Sequence, residues 1–189
     1  MTALSFLRSR FPSRQDTFLV LAVTTAPIYL WALLNFLREV PGYILRADLS
    51  FILAVLSYTL ASCLIESLTI TGMVVLLAVI LPRRLLLDRF VPQAMILVLI
   101  PAFWVIPIHY QSRIAGGLGL PAQMYIALVV VWLITFIIAL VDLSIIIRRR
   151  PKVEAGFLDV ADRLTVLAWV FIVAGIISLG NVMVRNLFL

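Results

Sequence analysis

Charge is scarce in this chain. Only 13% of its 189 residues are charged, 64% are hydrophobic, and mean hydropathy is +1.18. A soluble domain of this length needs far more polar surface around its core, so that class is excluded. Cysteine and histidine occur once each, as Cys63 and His109. One cysteine forms no internal disulfide and gives no redox compartment; it reads as a small buried hydrophobe. One histidine with no cysteine or carboxylate near it in sequence gives no metal-ligand spacing, so neither a metal site nor a cofactor is expected. The glycines Gly116, Gly117 and Gly119 follow no strand and precede no phosphate-loop lysine, and no H-E-x-x-H or G-x-S-x-G run occurs. Internal repeats and low-complexity tracts are also missing.

What is present is a series of apolar runs near the ~20 residues that cross a hydrocarbon layer. The fold class this predicts is all-α: one polytopic transmembrane helical bundle over residues 1–189, with five spans. The first span is 17–37, too long for the apolar core of a secretory signal and read as an uncleaved anchor. Pro27 lies inside it, and Pro41–Gly42 beyond it reads as a turn. Segment 49–81 is 33 residues with a single charge, Glu66. The preferred reading places the crossing part at 62–81, with 49–61 as an outer interfacial or re-entrant helix continuous with it. Splitting 49–81 into a hairpin gives a six-span alternative. Further spans follow at 90–108, 122–147 and 164–184. Residues 116–121 read as a turn, Pro151 blocks simple continuation of the fourth span, and 151–163 reads as a short amphipathic helix on the membrane surface.

The basic residues number fifteen against nine acidic, a formal net charge of +6. All but Lys152 are arginine, and they gather at the ends of apolar runs, the pattern of topology determinants rather than of a nucleic-acid stripe. With five spans, eleven basic residues share one side and four the other. The excess marks the cytoplasmic side, with the N-terminus in, the C-terminus out and the chain in the cell membrane. In the six-span alternative the division is ten against five, and it still keeps 83–89 and 148–163 inside. Arg83, Arg84, Arg148, Arg149, Arg150 and Lys152 are the residues expected to meet anionic headgroups at the cytoplasmic face. In topology alone this plan resembles the membrane portion of lipoteichoic acid synthase-type enzymes. The extracellular catalytic domain those enzymes use is not in this sequence, so the resemblance implies no activity.

Glu66 is the candidate with most chemistry, because an ionisable side chain inside an apolar span is costly unless paired, protonated or wet. Thr59, Ser62, Cys63, Glu66 and Thr69 recur at spacings of three and four, one polar stripe on a helix. The stripe suits a helix-packing face or the wall of a path. Counting back from Pro82 places Glu66 near the outer surface, where it could meet His109 at the outer end of the third span. Asp142 reads as a carboxylate held by an arginine of another helix. Gly175 and Gly180 allow close helix approach without forming a G-x-x-x-G motif.

The function these features favour is a non-catalytic membrane subunit or scaffold, whose neighbours are lipids and a membrane protein partner or a second copy. A small proton- or solute-coupled transporter using Glu66 is the first alternative. An intramembrane enzyme acting on lipid, with Glu66 and His109 as acid and base, is the second.

Overall fold

A computed structural model describes residues 11–82, 86–118 and 122–188, with side chains throughout except at 105–118, 122, 123, 125 and 188. Five helices carry the fold: α1 Arg14–Ile44, α2 Leu49–Ile80, α3 Phe90–Leu118, α4 Ala122–Arg149 and α5 Pro151–Phe188. A single 3-10 turn, Leu87–Arg89, leads into α3. Among the described residues no strand occurs, and the five long helices are each apolar enough to cross a membrane. The chain is a multi-pass membrane bundle.

α1 starts at a side-chain cap, where the Ser13 hydroxyl accepts from the Asp16 backbone N–H at 3.0 Å. This supplies one of the donors that a first helical turn leaves orphaned. The helix then runs through Pro41 and Gly42 to Ile44, so the turn expected there comes three residues later. Proline near a helix end removes one intrahelical bond at a place where water can replace it.

α2 settles the ambiguous segment. It is one unbroken helix of 32 residues, about 48 Å at 1.5 Å per residue, and the six-span hairpin is overturned. No proline interrupts it, and in lipid each backbone group of such an apolar run must be paired internally. α5 is likewise continuous over 38 residues. The amphipathic stretch expected to lie separately on the surface is instead its first turns, aided by the Arg163–Asp159 pair at 3.0 Å, one turn apart. The break predicted at Pro151 is present, with Arg150 alone between α4 and α5.

Two buried clusters hold the bundle. The first joins Val20 of α1, Val74 and Ala78 of α2, Phe90, Ala94 and Met95 of α3, and Ala161 of α5. It lies at the end where α1, α3 and α5 begin and α2 ends. The second joins Tyr29, Cys63, Leu64 and Phe171 farther along α1, α2 and α5. The Tyr29 ring stacks on Phe171 with centroids 4.7 Å apart, and its hydroxyl donates to the Leu60 carbonyl at 3.3 Å. Gly175 makes this closeness feasible. A Cβ there would collide with the Tyr29 hydroxyl and sit 2.9 Å from Leu64 Cβ.

Toward the far end, Tyr58 donates to Asn186 Oδ1 at 2.8 Å and Asn181 donates to the Ser57 hydroxyl at 3.0 Å, tying α5 to α2. α4 is peripheral, and its most apolar stretch buries nothing within the bundle. It leans on α3 through the Trp104 indole, which donates to the Trp132 carbonyl at 3.2 Å, and through the Ser144 hydroxyl, which donates to Gln93 Oε1 at 3.0 Å.

Candidate functional site: a groove between α1, α2 and α3

α1, α2 and α5 pack on one another along their lengths, whereas α2 and α3 touch sparsely although both flank α1. The space left between α2 and α3 is a cavity of about 1130 Å³. α1 forms its floor with Pro27, Trp31, Asn35 and Glu39, and α2 forms one wall with Val55, Thr59, Ser62, Glu66 and Ile70. The other wall is the α3 segment around Leu97, Pro101 and Phe103. From Val55 to Ile70 the wall is about 22 Å long.

Glu66 lies on this wall with an exposed side chain, seventeen residues after Leu49 and fourteen before Ile80. It therefore sits midway along a continuous helix. The estimate that put it near one surface took the crossing part to be 62–81 alone. No ion pair among the described residues includes it. Ser62 is exposed one turn away on the same wall. Thr59 is half-buried, and its hydroxyl is spent on the Val55 carbonyl at 2.9 Å.

The predicted stripe thus divides. Thr59, Ser62 and Glu66 face the groove. Thr69 is exposed but does not line it, and its hydroxyl donates to the Ile65 carbonyl at 2.8 Å. Cys63 turns inward, buried in the second cluster while touching the groove wall. The face of α2 that packs within the chain is the neighbouring one, where Cys63, Ser67 and Thr71 are buried four residues apart.

The groove lining also contains residues the sequence reading did not single out: Asn35, Glu39 and Tyr58. Pro27, Trp31, Asn35 and Glu39 fall at four-residue intervals, a periodicity that could have marked the floor. Among the described residues that line the groove, the charged ones are Glu39 and Glu66, both acidic, and none is lysine or arginine. The side chain of His109 lies outside the described residues, although its backbone belongs to α3.

The basic end is a second polar region. Arg89 donates to the Ile147 carbonyl at 2.6 Å and pairs with Glu154 at 3.2 Å, clasping the end of α4 to the starts of α3 and α5. Arg148, Arg149, Arg150 and Lys152 are exposed beside it. Arg83 and Arg84 lie outside the described residues. Asp142 is exposed on α4, and no ion pair found among the described residues includes it. No group of three histidine, cysteine or carboxylate side chains suited to a metal ion occurs among the described residues.

Fold and site define a class, a five-helix membrane bundle with a side-opening groove that carries a mid-helix carboxylate. No family model, no curated protein and no solved structure matches the chain.

Proposed function

We propose that this protein is a non-catalytic subunit of a membrane assembly that receives a transmembrane helix of a partner in the groove between α2 and α3. The observation that carries this reading is the groove itself. It is a missing-helix position, floored by α1 and walled by two helices that diverge. Its volume of about 1130 Å³ compares with about three turns of a helix 10 Å across, and it exceeds the ~300–1,000 Å³ usual for small-ligand pockets. The polar minority on its walls suits association between helices in lipid, where hydrogen bonds and close packing replace the hydrophobic effect.

In this reading the bundle lies in the cell membrane with Arg89, Arg148, Arg149, Arg150 and Lys152 on the cytoplasmic side, as the excess of basic residues there requires. Those exposed cations also meet anionic headgroups, each contributing about 1 kcal/mol near a charged surface.

Site-specific photocrosslinking in native membranes tests the proposal. A photoreactive residue at Leu34, Ile70 or Phe103 should yield a protein adduct of one discrete mass, and the same residue at Ile137 on the outer face of α4 should not. Lipid adducts alone at all four positions would refute the subunit reading. The transporter alternative rests on the same carboxylate, and Glu66→Gln separates it. Loss of solute uptake with assembly intact would favour transport.

A further inference from the structure

The groove places a strict chemical demand on whatever fills it. Glu66 sits at the middle of α2, exposed on an apolar wall, and no lysine or arginine is among the described residues that line the groove. A carboxylate enclosed there without a partner loses several kcal/mol of solvation. An apolar helix seated in the groove would impose that loss. A helix that brings a cation to the same depth would remove it.

A second copy of this chain cannot supply that cation. Its lysine and arginine residues lie near helix ends or outside the helices, and Arg163 in the early part of α5 is already paired with Asp159. The middle stretches of all five helices contain neither residue type. The partner is therefore a different sequence.

We infer that the groove is filled by a transmembrane helix of another protein carrying one lysine or arginine at mid-membrane depth, paired with Glu66. The inference rests on the helix-receiving reading given above and adds the chemistry of the partner. Ser62, one turn from Glu66 on the same wall, supplies a hydroxyl acceptor for the remaining donors of the same cation. Glu39 is the second carboxylate among the described lining residues.

The test uses the full chain in phosphatidylcholine vesicles and leucine-rich peptides of about 20 apolar residues, long enough to span. One peptide carries a central lysine, one carries leucine there, and one has the lysine moved two turns off centre. Association is read by energy transfer between labelled peptide and labelled protein. The central-lysine peptide should bind about tenfold tighter than the all-leucine peptide, a difference lost in Glu66→Gln and kept in Glu66→Asp. Retained helicity of each variant by circular dichroism guards against misfolding. Equal binding of all three peptides would overturn the inference while leaving a helix-receiving groove. No binding of any peptide to the folded wild-type protein would overturn the inference and the proposed function together.

Discussion

Gly175→Ala tests whether the second buried cluster is as tight as the structure places it. In isolation the change should help, since alanine is favoured over glycine inside a helix by about 1 kcal/mol. The surroundings reverse that sign. The added methyl would stand 2.9 Å from Leu64 Cβ, where ordinary contact begins near 3.4 Å, and it would overlap the Tyr29 hydroxyl. Leu64 Cβ is fixed to the α2 backbone and cannot rotate aside, so α5 must retreat by about half an ångström. Overpacking of this kind costs about 1–3 kcal/mol. Displacing the Tyr29 hydroxyl also forfeits its bond to the Leu60 carbonyl, about 0.5–1.5 kcal/mol.

Set against the gain in propensity, the expected net loss is about 1–3 kcal/mol, or roughly 5- to 150-fold in the unfolding equilibrium. Reversible unfolding in mixed micelles with rising detergent denaturant measures it. Gly180→Ala is the internal control, because nothing lies within 4 Å of a Cβ there. It should be neutral or slightly stabilising. Tyr29→Phe should recover part of the loss in the Gly175→Ala background by removing the overlapping oxygen. A Gly175→Ala protein as stable as its Gly180→Ala counterpart would refute the packing described for α1, α2 and α5.

Arg89→Ala should destabilise by about 1–3 kcal/mol, because it removes a charged donor from the Ile147 carbonyl and the partner of Glu154; faster proteolysis near Arg150 would report the loosened clasp, and unchanged proteolysis would count against it. Gln93→Leu should raise stability by about 1 kcal/mol, since the buried Gln93 Nε2 has no hydrogen-bond partner; a loss of that size in micelle unfolding would show that the amide contributes more than its bond with Ser144. Asn181→Leu should cost about 0.6 kcal/mol, the average for such bonds in membranes, and should release the far end of α5; unaltered hydrogen exchange over 181–186 would contradict that.

The spans were legible because the bilayer imposes a length that sequence can meet in few ways. Their ends were less so. Pro41–Gly42 has the composition of a turn, yet the helix continues, since proline in a last turn removes one bond and glycine only weakens the helix. Residues 151–163 have the amphipathic pattern of a surface helix, and periodicity alone does not separate a helix lying flat from one collinear with its span. The α2 stripe was legible from spacing, but two polar stripes overlap at Cys63, and sequence does not say which faces the chain's own helices. The structure gives packing to Cys63, Ser67 and Thr71 and leaves Ser62 and Glu66 to the groove. The α1 floor is hard to read from sequence because Asn35 is a single amide in an apolar run, and only the tertiary arrangement puts it in the same groove as Glu66.

Along most of its length α4 buries almost nothing against its neighbours; its basic end is clasped by Arg89 and continues into α5 through Arg150. Its free energy of position is therefore written mainly in lipid contacts. Bilayer thickness acts on a helix through tilt, at fractions of a kcal/mol per ångström of mismatch, and α4 has little protein contact to oppose that. A thinner membrane leans α4 over; a thicker one stands it upright. Each change turns the Trp104–Trp132 and Gln93–Ser144 contacts into a pivot on α3, the same helix whose flank bounds the groove. A change in the tilt of α4 would therefore bear first on the helix that bounds the groove.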